Sequence, residues 1–162
     1  HDRRSFMFHA YGAEELGLIG SQCFCDNPTV PLERVTAMVN FDMVGRLRYE
    51  ELYLGGLWTS TQWRDELLRY NFDALTLIDF QTCQSCSDHA CFRWNNRPSI
   101  WFFTGDHPQY HTPADDVALI NGPGLVQVGT LALNTLVHLS VRPDEMPFDS
   151  PLPAPIAGAE GR

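Results

Sequence analysis

Val35 to Gly45 reads VTAMVNFDMVG, and its interpretation decides the fold. Val35 to Asp42 is mostly apolar on both faces of an extended chain, the mark of a strand covered on both sides. It ends on a carboxylate, Asp42, followed by Gly45. Upstream, Ser5 to Tyr11 (SFMFHAY) is of the same buried type. Gly12-Ala13 then turns the chain into a predicted helix over Glu14 to Cys25, with Leu16, Ile19 and Cys23 at helical spacing. Gly17 and Gly20 would let that helix lie close to a sheet, and Asn27-Pro28 ends it. Downstream, Glu51 to Leu54 is a short strand before Gly55-Gly56. Thr59 to Tyr70 is a helix with Trp63, Leu67 and Tyr70 on one face. Leu75 to Ile78 is a further short strand, Ser87 to Trp94 a helical turn, and Ser99 to Thr104 (SIWFFT) another buried strand. Gly122 to Val141 is a long, mostly apolar helix with Pro123 at its start and Pro143 just past its end. Strands alternating with helices give an α/β sandwich with a largely parallel sheet.

Composition sets the outer bounds. The chain has 162 residues, enough for one domain with a core, expected over 1–142. From Pro143 to Arg162 proline, alanine and glycine dominate, so 143–162 is expected to be a disordered tail or linker. No apolar run reads as long enough to span a bilayer. Twenty acidic residues face eleven basic ones, all arginine, for a net charge of −9. That balance argues against a nucleic-acid partner, which needs a basic surface. The chain opens His1-Asp2-Arg3-Arg4 and runs directly into an apolar segment, which reads as the middle of a longer protein. Five cysteines, Cys23, Cys25, Cys83, Cys86 and Cys91, suggest a Cys83–Cys86 disulfide in an exported protein more than a four-cysteine zinc site, because Cys23 and Cys25 fall inside a helical pattern.

Three chemistry-bearing motifs follow three apolar strands: Glu14-Glu15 after the first, Asp42 at the end of the second, His111 in the loop after SIWFFT. In open α/β sheets the functional crevice lies beyond the carboxyl ends of the strands. If these strands are parallel neighbours, two carboxylates and an imidazole meet on one rim, a donor set suited to zinc. Each residue also has a plainer reading. Two glutamates favour a helix N-terminus, Asp42 could be paired or sit at the exit to solvent, and His111 alone could be a structural loop histidine. Ser87 or Asp88 could cap a helix. Nothing around Ser87 or Cys86 forms a nucleophile elbow.

The motifs in order carry the reading further. AYGAEELGLIGS (Ala10–Ser21), MVNFDMVGR (Met38–Arg46), SDHACF (Ser87–Phe92) and FFTGDHPQYHTPADD (Phe102–Asp116) strongly resemble the co-catalytic zinc exopeptidases of the aminopeptidase Y, bacterial leucyl aminopeptidase and glutamate carboxypeptidase family. The resemblance covers residues 4 to 140. It implies a three-layer α/β/α sandwich with a mixed, largely parallel sheet, here without its N-terminal strands. It implies an exopeptidase acting on peptides, an aminopeptidase in preference to a carboxypeptidase because the arginines are scattered. Glu14 matches the general base that takes a proton from water and passes it to the leaving amine. Glu15 and His111 match ligands of one zinc, and Asp42 a ligand of the other. Tyr110 matches a tyrosine that hydrogen-bonds the oxyanion in some members. The resemblance implies that Asp88 and His89 line and orient the site. The family's remaining ligands, a histidine in an H-x-D segment and a bridging aspartate, precede the E-E motif by several dozen residues. His1 and Asp2 have the right chemistry but stand too near the following strand to be those ligands. This chain alone is therefore expected to bind metal weakly and to hydrolyse peptides poorly. Cys91 stands where a proline or similar residue is common. Export to the periplasm or medium fits the family and the cysteines. Two other readings stay open: a glutaminyl cyclase with one zinc, disfavoured by Tyr110 where that group has tryptophan, and a non-catalytic binding homologue.

Overall fold

The structure, a computed structural model, describes residues 3–72, 74–83 and 85–149. Its four strands are β1 (Met38–Phe41), β2 (Glu51–Gly55), β3 (Thr76–Asp79) and β4 (Ser99–Phe103), and they form one sheet in the order β1-β4-β2-β3. β1 runs parallel to β4 with Met38 opposite Ser99, and β2 parallel to β3 with Glu51 opposite Thr76. β2 and β4 pair antiparallel, Leu54 facing Phe102. The sheet is thus mixed and largely parallel, as anticipated.

Alternation along the strands sends side chains to two covered faces. On one face Leu52, Leu54, Ile100 and Phe102, all fully buried, pack against α2 (Trp63–Asn71) and α4 (Gly122–Val141) through Trp63, Leu67, Val128 and Leu131. Trp63 donates its indole N–H to Thr59 Oγ1 at 3.0 Å, so its buried polar atom is satisfied. Arg142, just past α4, donates to the buried Glu66 of α2 at 3.2 Å. The other face carries Trp101 and Phe103, with α1 (Ile19–Asp26) and α3 (Ala90–Trp94) beyond it. There Cys25, Cys91 and Phe92 form a second core with Phe24, Val35 and Met38. Helices on both faces give three layers.

Several expectations change. Ser5–Tyr11 forms no strand: Phe8 is 92% exposed, and among the described residues no strand lies beside the segment to complete its backbone hydrogen bonds. The helix expected from Glu14 starts later. Glu14–Leu16 is a single 3₁₀ turn, and Gly17 (φ 104°) and Leu18 (φ 59°) take left-handed backbone before α1 begins at Ile19. A right-handed helix cannot run through two such residues. Gly20, rather than approaching the sheet, packs on the backbone of Gly12, where a Cβ would collide. Residues 143–149, assigned to the tail by composition, lie against the domain: Met146 is 4% exposed in the core, and the Asp149 carboxylate accepts from the Thr61 amide and hydroxyl, each at 2.8 Å. Residues 150–162, and His1 and Asp2, lie outside the described residues. Finally, α4 spans 20 residues at a mean hydropathy of 1.4, long and apolar enough to cross a membrane by length and composition, contrary to the reading of the sequence. Its Val128, Leu131, Ala132 and Leu139 are buried inside this domain, the pattern of a core helix.

Four of the five cysteines are paired, Cys83 with Cys86 and Cys25 with Cys91, while Cys23 is free and exposed. Cys91 therefore stands in its motif as half of a staple between α1 and α3.

Candidate active site at the strand ends

The turn after Gly12 positions the two glutamates. Ala13 takes left-handed backbone (φ 57°), and the Leu16, Gly17 and Leu18 amides return to Ala13 and Glu14 carbonyls, closing a tight turn that projects Glu14 and Glu15. His111 is also left-handed (φ 55°), at the end of a short turn in which the Thr112 amide donates to Gln109 O and the Tyr110 amide to His107 O. Across the gap His111 Nε2 lies 2.6 Å from Glu15 Oε1. The two are 96 positions apart, and both are more than half exposed. The Tyr110 ring stacks on His111 at 3.8 Å and 23°. Glu15, His111 and Tyr110 line an open cleft of about 520 Å³ with Met43, His107 and Asp115.

Asp42 lies at the carboxyl end of β1, its amide held by Phe102 O and its carbonyl receiving the Trp101 indole N–H at 3.3 Å. Its carboxylate is oriented from beneath. Asn40 Nδ2 donates to Ser87 Oγ at 2.6 Å, and Ser87 Oγ donates to Asp42 Oδ2 at 2.7 Å. A hydroxyl has one proton, so the donor from Asn40 directs it toward Asp42. Ser87 is 1% exposed. It is neither cap nor nucleophile, and the sequence signal that could have found it is only its place beside Asp88. Ser87→Ala removes the side-chain donor to a half-buried carboxylate, and a loss of about 1–3 kcal/mol is expected in a denaturant titration. A change within error would show that Asp42 needs no such donor.

Asp88 and His89 are both buried, at 8% and 0% exposure. His89 stacks on Trp101, ring centroids 5.6 Å apart, and neither ring nitrogen has a hydrogen-bond partner among the described residues. Burial and then the Arg93 charge push the imidazole down to about 4. Folded His89 thus stays neutral while an unfolded one takes a proton below 6.5. Stability is lost as pH falls from 6.5 toward 4, by up to roughly 3 kcal/mol. His89→Phe should flatten that part of a stability–pH curve, and a curve as steep as the parent's would assign the loss elsewhere.

The carboxylates repel one another. Burial, then Asp42, Glu15 and Asp88, raise the Glu14 carboxyl above 4.5, against a lowering from His111. Asp42 is raised above 3.8 by burial, with Ser87 opposing and the Asp88 and Glu15 charges adding. Burial and the Glu15, Asp42, Glu14 and Asp106 charges raise the Tyr110 phenol, and burial with Asp88 pushes Tyr11 up to about 12. The site is a concentration of negative charge that favours a proton or a cation. Among the described residues, no three acid, histidine or cysteine side chains are close enough together to hold one ion.

Fold and cleft together define an α/β protein with a carboxylate–imidazole site at the carboxyl ends of its parallel strands. Residues 1–136 match Peptidase family M28, and the chain belongs to that family. It is 33% identical over 160 residues to Aminopeptidase YwaD of Bacillus subtilis, the match covering 89% of this chain and 34% of that protein. Among solved structures it resembles BSAP, a zinc aminopeptidase from Bacillus subtilis (TM-score 0.68, 28% identity, 87% of this chain and 37% of that one). Porphyromonas gingivalis glutaminyl cyclase shares the fold at 20% identity and a TM-score of 0.62, over 80% of this chain and 49% of that one. The chain spans about a third of the length of the curated relatives it matches.

Proposed function

We propose that this chain supplies part of the active site of a zinc aminopeptidase, which removes N-terminal residues from peptides by attack of water on the first peptide bond. The observation that carries this is the 2.6 Å approach of His111 Nε2 to Glu15 Oε1 beside a second carboxylate, Glu14. An imidazole nitrogen and a carboxylate oxygen at one point are zinc donors, and their mutual contact is one a metal would replace. In this reading Glu15 and His111 hold one zinc, and Asp42 faces a second. Two ions of this kind polarise a carbonyl and lower the pKa of water. Glu14 takes the proton of the attacking water and returns it to the departing amine. Tyr110, stacked on His111, offers its hydroxyl to the carbonyl oxygen as negative charge develops there. A complete two-metal site needs more ligands than these, so the isolated chain binds zinc weakly, and the lengths of the relatives leave room for the others. Two disulfides fit an oxidising compartment and support export.

The test measures zinc content and hydrolysis of an amino-acid anilide by this chain beside a version extended upstream by an H-x-D segment. Zinc and turnover in the longer protein support the proposal. Cyclisation of an N-terminal glutamine peptide in place of hydrolysis moves the assignment to acyl transfer. Zinc content of neither protein would make the carboxylates structural and the chain a binding homologue.

A further inference from the structure

The two loops that carry the candidate ligands are joined at one carboxylate that the proposed chemistry does not use. Arg46 follows Asp42 by four residues, and its guanidinium donates to Asp115 Oδ1, the Arg46 side chain being 14% exposed. His107 Nε2 lies 3.7 Å from the other oxygen, Asp115 Oδ2, and the His107 side chain is 5% exposed. The His107 ring meets Tyr110 edge to face at 6.2 Å, and Tyr110 stacks on His111. Asp115 therefore faces the Asp42 loop with one oxygen and the His111 loop with the other, on the wall of the same cleft.

The His111 loop needs such a hold. His111 has a left-handed backbone that an L side chain adopts at a cost. Within the loop the Asp115 amide returns to Thr112 O and the Ala114 amide to Thr112 Oγ1, bonds that shape the turn without fixing it to the rest of the domain. The Asp42 loop is anchored independently, by the Thr104 hydroxyl and amide on Met43 O and the Asn121 amide on Gly45 O. The Arg48 guanidinium donates to Asp106 O at the start of the strained loop, and the ion pair from Arg46 to Asp115 adds a second tie beyond His111. Arginine suits this role, since its planar fork fixes direction as well as distance.

We propose that Asp115 is a positioning residue that, through Arg46 and His107, sets the place of the Tyr110–His111 pair relative to Asp42. The proposal rests on the reading of Glu15, His111 and Asp42 as metal-facing groups. The Asp115 carboxyl is held below its usual range, first by the hydrogen bond from Arg46 and then by the His107 and Arg46 charges, so it stays ionised across the working range.

The experiment uses the whole chain as wild type, as Asp115→Asn and as the charge swap Arg46→Asp with Asp115→Arg. Three quantities are read: the ring-current shift of the His111 imidazole protons under Tyr110, amide exchange over residues 107–116, and zinc affinity by competition with a chromophoric chelator. In Asp115→Asn the shift should collapse toward that of a free imidazole, loop exchange should rise at least tenfold, and zinc affinity should fall roughly fivefold, a modest factor suited to a partly exposed pair. The melting temperature should stay within a few degrees, and the swap should restore part of the shift. If Asp115→Asn unfolds the chain, the restored shift in the swap decides alone, and its absence overturns the proposal. No zinc in either the parent or the upstream-extended protein, with the shift still lost in Asp115→Asn, sinks the metal reading and leaves the positioning role standing. A parent that binds zinc, with shift and exchange unchanged in Asp115→Asn, overturns the positioning role and leaves the metal reading intact.

Discussion

In the protein extended upstream by an H-x-D segment, Glu14→Gln is expected to lower peptide hydrolysis by about 10²–10⁴-fold while leaving zinc content unchanged, whereas Glu15→Gln should lose zinc and activity together. The difference between adjacent glutamates follows from where each side chain lies. Glu15 touches His111 at 2.6 Å, so its oxygen sits where an ion shared with that imidazole would bind. Among the described residues Glu14 makes no side-chain hydrogen bond. Its environment acts through charge: burial and the Asp42, Glu15 and Asp88 carboxylates raise its proton affinity above that of an ordinary glutamate. A carboxylate that takes a proton more readily than usual is better matched to proton transfer near neutrality. Glutamine keeps the size of the side chain and removes only the ability to accept a proton. The sign for pH follows. A base must be unprotonated to act, so kcat/KM should fall as pH drops through the Glu14 pKa. Equal zinc loss in both variants would place Glu14 among the ligands and remove it from the base role.

Part of this fold and site is legible in the sequence, and the rest is not, for physical reasons. β4 and α4 were legible: Ile100–Phe103 is apolar at every position, and Gly122–Val141 carries Pro123 in its first turn with Pro143 just past its end. The order of motifs placed Glu15 and His111 in one cleft although 96 positions separate them. Periodicity could not see the left-handed residues Gly17 and Leu18 that split the first helix, because a break made by a backbone turn leaves apolar spacing intact. Ser5–Tyr11 has the pattern of a buried strand, but strand formation depends on a neighbour that a pattern does not supply. The antiparallel pairing of β2 with β4 is a matter of chain path, invisible to local composition. Ser87 and Asp115 escaped for the same reason. Each acts by touching a residue 45 or 69 positions away, Asp42 in one case and Arg46 in the other.

Cys25→Ala with Cys91→Ala is expected to destabilise the chain by roughly 4 kcal/mol, from the loop entropy released when a 66-residue separation is no longer closed. For a domain of this size that corresponds to a fall in melting temperature of roughly 8–16 °C. The effect should reach the site, because each half of the bridge lies close behind a site motif. Cys25 is in α1, which follows the Glu14-Glu15 turn. Cys91 is in α3, which follows Ser87, the donor to Asp42. The surrounding core is small, built from Cys25, Leu32, Cys91 and Phe92 with Phe24 and Tyr11 packed against it. Little apolar area therefore replaces the bridge once it is gone, and the α1 side of the site loses its covalent tie to the α3 side. Cys83 and Cys86 close a loop of only three positions, where the same entropy argument predicts a much smaller loss. Cys83→Ala with Cys86→Ala is thus the internal control. Thermal melts of the two double variants against the parent, under non-reducing conditions, make the comparison. Equal shifts in both would show that neither bridge acts through chain entropy. A large shift in Cys25→Ala/Cys91→Ala alone would show that the glutamate turn and the Asp42 support are held together covalently.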